Sequence, residues 1–368
     1  MTNSELKEQL TDLIALLRVP GIGRGRYRKL ADHFGSPSAV LEASVSKLAA
    51  VSGISRTIAT AIKEKTDPGE ARKLAARVIQ LGWTPLFGEN PEYPASLRQI
   101  PEVPPVLFRL GEAYSDDDRM IAIVGTRRAT ERGKRFTHNL AVELAKAGIT
   151  VVSGMAEGID SAAHRGALDG GGKTVAIWGT SLEIVYPPVN RSLAKKIASQ
   201  GAVYSEYLPG TKPEPGFFPE RNRIISGMSE GVIVVEAGER SGALLTADLA
   251  LDQGRELFAV PGSPDAARSI GTNRLIKRGA RLLTSIEDVF DELPRLKGQV
   301  AARKFRQMPD LTELEQKLLK ILADGPMQLD QMSRKTGLKV AELMEVLLAL
   351  ELKGVVQELS GKRFVLSD

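Results

Sequence analysis

The 368-residue chain contains no cysteine. That excludes a disulfide framework, a thiolate nucleophile and any cysteine-ligated zinc or iron–sulfur site. Its three histidines are scattered, so a histidine metal cluster is not expected either. Long apolar runs are missing, and nothing approaches the roughly 18 uninterrupted apolar residues of a membrane helix. The opening MTNSELKEQL is polar and carries carboxylates, without a basic stretch leading into an apolar one. A soluble cytoplasmic protein without a resident cofactor is the expectation. A strong excess of one charge is also lacking, since 50 Lys and Arg against 45 Asp and Glu leave only +5. Such a balance does not by itself indicate a polyanionic partner. What is present, 42% hydrophobic and 26% charged residues, is enough for substantial cores and excludes a disordered or fibrous chain.

The chain reads as three folded segments. Residues 1–80 pattern as short helices around two turns, Pro20-Gly21-Ile22-Gly23 and Val51-Ser52-Gly53-Ile54-Ser55. Helix, glycine turn, helix, repeated, resembles the SAM-like helix-hairpin-helix module, whose glycines turn backbone N–H groups toward a phosphate. The basic run Arg24, Arg26, Arg28 and Lys29 is where such a contact would fall; a helical scaffold with solvated charges is the competing reading. Residues 81–293 alternate short Val/Ile-rich runs, such as Met120 to Val124, Thr174 to Trp178 and Gly231 to Val235, with helical stretches. That alternation predicts an α/β fold, a Rossmann-like doubly wound, mostly parallel sheet covered on both faces. Residues 294–309 have the composition of a linker. Residues 310–368 spell a winged helix, three helical runs and then two short strands around Ser360-Gly361. Its third helix carries Glu342, Glu345 and Glu351, which favours a protein contact over DNA reading.

In doubly wound sheets ligands bind beyond the carboxyl ends of the strands, so the loops there matter most. Gly125-Thr126-Arg127-Arg128 follows the first strongly apolar strand and precedes a helix, the place for a phosphate. It lacks G-x-G-x-x-G and an acidic ribose partner, whereas Arg127 and Arg128 suit a phosphodiester. Gly172-Lys173-Thr174 looks like the end of a Walker loop, but Ala167 breaks the spacing and a strand follows. Gly154 lies in a second anion nest ahead of Asp160 and His164; that pair reads as an acid/base couple or, more simply, as a cap and a packed histidine. Phe217-Phe218-Pro219-Glu220 leads into Arg221, Asn222 and Arg223, rings beside guanidinium groups, as single-stranded nucleic acid requires. One of the two phenylalanines is expected in the core. Ser241, Gly242, Thr246 and Asn273 add small donors in the last loops.

Taken in order, GTRRAT, SGMAEGIDSAAH, GGKTVAIWGTSLEIVYPPVN, FPERNRIISGMS, VVEAGERSGALLTA, FAVPG and GTNRLIKRGA closely resemble the DNA-processing protein A family (DprA, or Smf) from about Leu81 to Leu283. The resemblance implies a non-catalytic protein that dimerises through its core, binds single-stranded DNA, protects it and loads RecA onto it during natural transformation. It implies that Arg127 and Lys173 contact phosphate and that Phe218 stacks on bases, with Arg221 and Arg223 beside it. In some relatives a lysine lies just upstream of that ring; here Pro215 takes its position, leaving Lys212 as the nearest substitute. Ile276 and Leu282 resemble the segment through which family cores pair. A rival reading is a nucleotide phosphoribohydrolase on the same fold, against which EAGERSGALLTADLA lacks the PGGxGTxxE-like loop. A winged-helix transcription regulator is the other alternative.

Overall fold

The computed structural model describes residues 3–114, 119–297, 312–322, 325–352, 355–359 and 361–366. Two compact units divide them: one runs to Thr284 without Lys146–Gly148, and the other combines that stretch with the residues from Ser285 onward.

The first unit begins with six helices, α1 (Asn3–Leu17), α2 (Arg24–Phe34), α3 (Pro37–Glu42), α4 (Val45–Ala49), α5 (Arg56–Glu64) and α6 (Pro68–Gln80). The two glycine turns are built alike. Ile22 N–H donates to Val19 and Ile54 N–H to Val51, both at 3.0 Å, with Gly21 at φ +90° and Gly53 at φ +85°. Side chains rarely adopt that conformation, so glycine stands at the same place in each turn. Ser36, Ser44, Ser55 and Asp67 then accept from the third amide of the helix that follows, fixing four helix starts locally. Three of the four cations after the first turn, Arg24, Arg26 and Arg28, are engaged within the fold. Arg24 reaches Glu206 and Glu220 at 3.1 Å and Glu102 at 3.4 Å. Arg26 donates to the carbonyls of Gly21 and Gly53, and Arg28 to that of Pro101. These three residues tie the hairpins to each other and to the segments around Glu102, Glu206 and Glu220.

The sheet has nine strands: β1 (Thr84–Leu86), β2 (Leu107–Gly111), β3 (Met120–Val124), β4 (Thr150–Ser153), β5 (Thr174–Ile177), β6 (Ala202–Ser205), β7 (Gly231–Val234), β8 (Glu256–Ala259) and β9 (Arg281–Leu282). Their order is β1-β2-β6-β5-β4-β3-β7-β8-β9, parallel except where β2 meets β1 and β6. Between the strands lie α7 (Glu131–Lys146), α8 (Ile159–Asp169), α9 (Arg191–Gln200), α10 (Phe217–Met228), α11 (Gly242–Asp252) and α12 (Ile270–Lys277). The doubly wound core follows the sequence reading; β1, β2 and β9 extend it beyond what periodicity indicated, since β1 is three residues long and contains Pro85 and β9 is two residues long. Val175 and Ile177 of β5 enter one hydrophobic cluster and Ala176 the other, the two-residue period of a strand buried on both faces. The Ala176 side also takes Leu10, Leu13 and Ile14 of α1 and Ala71, Ala75 and Val78 of α6. The helical segment therefore shares a core with the sheet. β3 lies between β4 and β7, where the strand order reverses.

In the second unit, helices Glu313–Leu322, Leu329–Thr336 and Val340–Leu352 accompany an antiparallel sheet of Met327–Gln328, Arg363–Leu366 and Val356–Leu359. Leu343, Leu347 and Leu350 bury one face of the third helix, and Glu342, Glu345 and Glu351 stay exposed, as the pattern predicts for a winged helix. Of the expected linker, residues 294–297 are helical and 298–309 lie outside the described residues, as does Ser360 of the expected wing turn. Among the described residues no helix is long and apolar enough to cross a membrane, and no group of three His, Asp or Glu could hold a metal ion.

Candidate nucleic-acid interface

A crevice of about 430 Å³ opens beyond the carboxyl ends of β3, β4 and β7, at the point where the strand order reverses. Its first wall is the loop Gly125 to Arg128. A Cβ on Gly125 would lie 2.6 Å from Cγ1 of Ile159, so glycine lets this loop rest on the start of α8. Glu236, which follows β7, holds the other end: its carboxylate accepts from the Thr130 N–H at 2.9 Å and the Thr130 hydroxyl at 2.5 Å. The same hydroxyl accepts from the Gly133 N–H at 2.9 Å and caps α7. Between these two anchors Arg127 and Arg128 are exposed on the crevice rim. A guanidinium offered this way can take a phosphate through two parallel hydrogen bonds.

The opposite wall begins at α10. Phe217 packs on Tyr207 with centroids 4.4 Å apart, but it is half-buried like Phe218 and neither ring enters the core, so the expectation of a core phenylalanine is not met. Phe218 turns to the crevice. Its ring lies 5.3 Å from that of Tyr186, and the Arg127 guanidinium carbon sits 5.5 Å from its centroid. Tyr186, 41% exposed, also lines an adjoining hollow of about 200 Å³ with Arg127, Arg128 and Phe218. Sequence reasoning missed it; the available signal was an aromatic residue in the segment following β5, at the same end of the sheet. Asn222, Ser241, Gly242 and Thr246 complete the crevice, where Ser241 also accepts from Ala243 N–H as the cap of α11. Pro215 lines it too, in the position where some relatives carry a lysine, while Lys212 does not.

A family model for DNA recombination-mediator protein A matches residues 85–294 of this chain. The chain belongs to the DNA recombination-mediator protein A family. Models for a DprA winged helix domain and a SAM-like helix-hairpin-helix tandem match residues 303–362 and 13–66. A Protein Smf from Synechocystis sp. is 35% identical over 99% of both chains, and a DNA processing protein DprA from Bacillus subtilis is 44% identical over 55% of this chain and 69% of its own. Among solved structures, DNA processing protein A from Streptococcus pneumoniae superposes with a TM-score of 0.68 at 33% identity, covering 77% of this chain and 97% of that one. The Helicobacter pylori protein, solved for its single-stranded DNA binding mode, matches with a TM-score of 0.52 at 33% identity over 58% of this chain and 96% of its own.

Within this member of the recombination-mediator family, Arg221 and Gly154 line these hollows but are engaged from within the fold, and Arg223, Lys173 and Asn273 stand elsewhere. Arg221 is 4% exposed and donates to the carbonyls of Gly154, at 2.5 Å, and Ile177. Burial pulls its guanidinium down to about 10, with Asp160 opposing, so it stays charged at pH 7 in the crevice floor. It places charge there without offering an open fork. Gly154 exists for this packing, because a Cβ would lie 2.6 Å from an Arg221 nitrogen and 2.7 Å from an Asp160 oxygen. Arg223, 5% exposed, pairs with Glu206 on the other side of α10 and does not line the crevice. Lys173 precedes β5 and therefore sits at the amino end of the sheet, paired with Glu112 at 2.7 Å and 5.6 Å from the Tyr114 ring centre. Asn273 exchanges hydrogen bonds with the backbone of Gly262 and is absent from the crevice wall. Asp160 and His164 are not a couple: Asp160 accepts from Ala156 N–H at 3.2 Å, while His164 Nδ1 donates to the Thr174 hydroxyl at 2.7 Å. Burial raises the Asp160 carboxyl and pulls the His164 imidazole down to about 3. Both belong to the fold.

Proposed function

We propose that the crevice binds single-stranded DNA, with Arg127 and Arg128 on the phosphates and Phe218, backed by Tyr186, stacking on an unpaired base. The observation that carries this reading is the grouping of Arg127, Phe218 and Tyr186 at the mouth of a crevice beside the β3 loop. Paired bases hide their faces within a duplex, so a stacking ring selects single strands, and contacts to backbone and ring faces are nearly indifferent to sequence. The Helicobacter pylori relative, described as binding single-stranded DNA, supports the same assignment. Competition between an oligothymidine and a duplex of equal length tests it, the single strand being expected to win.

Binding without catalysis fits the carboxylates of the two flanking loops. Glu236 and Asp160 both hold backbone amides, which leaves neither placed to activate water. Loading of RecA, protection of incoming strands during natural transformation and a cytoplasmic location are proposed from the family resemblance; a shorter lag in RecA filament growth on a coated strand is the corresponding assay. Pairing of two copies is proposed at the sheet edge formed by α12 and β9. Leu282 is 49% exposed there, and Ile276 is half-buried against the core. A dimer joins two crevices and raises affinity for long strands through effective concentration. Leu282→Arg is expected to shift the sedimenting species to a monomer and weaken long-strand binding about tenfold or more. An unchanged mass would exclude this edge.

A further inference from the structure

The crevice adjoins a second opening. Beyond the loop at Glu157 lies a groove of about 540 Å³ lined by Lys134, Arg135 and His138 of α7 and by Ser161 and Arg165 of α8. Its shape follows from helix packing. α7 and α8 meet closely at Gly166, where an added Cβ would come 2.2 Å from the His138 carbonyl oxygen. The groove is lined by the first two turns of each helix, on the side of that contact facing the crevice. Glu157 stands at the junction and borders both the groove and the hollow that holds Arg127, Arg128 and Phe218.

Charge in the groove is only partly balanced from within. Lys134 pairs with Glu131 at 2.7 Å and His138 with Asp169 at 2.8 Å. Arg135 and Arg165 are exposed and have no side-chain partner among the described residues. The floor is made of the small residues Gly158, Ser161 and Ala162, and no phenylalanine, tyrosine or tryptophan lines the walls. A surface with open guanidinium groups and no stacking ring suits a sugar–phosphate backbone and does not suit bases. Two helix N-termini beside it add positive potential.

We propose that this groove is a second phosphate-binding segment, in which Arg135 and Arg165 hold the backbone of the DNA strand where it leaves the crevice. The proposal rests on the crevice being the primary single-strand site. The strand stacks once at Phe218 and then runs between α7 and α8 held by charge alone, so the groove engages only strands longer than the crevice.

The test compares a six-nucleotide and a twenty-nucleotide oligothymidine on the full chain, the double variant Arg135→Glu/Arg165→Glu, and Arg127→Ala. The double variant is expected to bind the long strand about tenfold more weakly and the short one within about twofold. Its salt slope on the long strand should fall by about 1.4, since each phosphate contact on a single strand contributes about 0.7. Both arginines are exposed, so the melting temperature should hold. Equal loss on both lengths overturns the proposal, as does no loss on either while Arg127→Ala weakens both. An Arg127→Ala protein that binds both lengths normally overturns the crevice reading and the groove with it.

Discussion

Phe218→Ala is expected to weaken binding of an unpaired strand by about 30-fold, because stacking one base on an aromatic ring contributes about 1–3 kcal/mol and 1.4 kcal/mol is tenfold in affinity. The neighbouring position separates this from general damage. Phe217 packs on Tyr207, whose hydroxyl also reaches the Phe217 carbonyl at 3.4 Å, so Phe217→Ala loosens the first turn of α10. The two substitutions should therefore divide. Phe217→Ala lowers the melting temperature, whereas Phe218→Ala leaves it nearly unchanged and loses affinity. Phe218→Trp keeps a stacking face and should restore most of the binding. Fluorescence anisotropy with thermal melts on the same samples reads both quantities. Equal loss of affinity in the two alanine variants would mean that α10 matters only as a support.

Acidification is expected to destabilise the first unit through His164. Buried against β5, its imidazole is pulled from 6.5 down to about 3, chiefly by desolvation and then by the Arg221 charge. In the unfolded chain it protonates near its ordinary value. The unfolded state thus binds the extra proton over the whole interval, so this contribution is fully present above pH 6.5 and is lost as pH falls toward 3. The slope is about 1.4 kcal/mol per pH unit, which makes the loss between pH 6.5 and pH 5 about 2 kcal/mol. Asp160, raised by burial, contributes in the opposite sense as pH falls. His164→Asn keeps a donor toward Thr174 and removes the titration. Urea midpoints measured from pH 7 to pH 5 should fall in the parent protein and flatten in the variant. Parallel slopes would remove His164 from the account.

The architecture was legible because burial writes itself into periodicity. Val175 and Ile177 alternate with Ala176 across a sheet buried on both faces, and Gly125 with the arginines after it marks a strand-to-helix loop at the switch point. The loops named from sequence do converge, and Arg127, Arg128, Phe218, Asn222, Ser241, Gly242 and Thr246 share one crevice. Individual arginines were not legible. Arg221 and Arg223 stand two residues apart in one helix, yet one lines the crevice floor with its guanidinium held by carbonyls and the other turns away to a glutamate, both through long-range partners. Lys173 was misplaced because a motif fixes spacing, while the end of the strand to which it is attached fixes the side of the sheet. Tyr186 and the shared core of α1 and α6 depend on contacts between distant segments, which local patterns do not carry.

The most direct measurement is photo-cross-linking of an oligothymidine in which one base is 5-iodouracil, followed by mass spectrometric mapping of the attached peptide. Iodouracil joins to aromatic rings on which it stacks, so the position of the adduct reports the stacking ring itself. The account predicts attachment at Phe218 or Tyr186, abolished in Phe218→Ala and reduced in Arg127→Ala. Attachment confined to the glycine hairpins of residues 19–54 or to the winged-helix unit, with Phe218 unmodified, would contradict it.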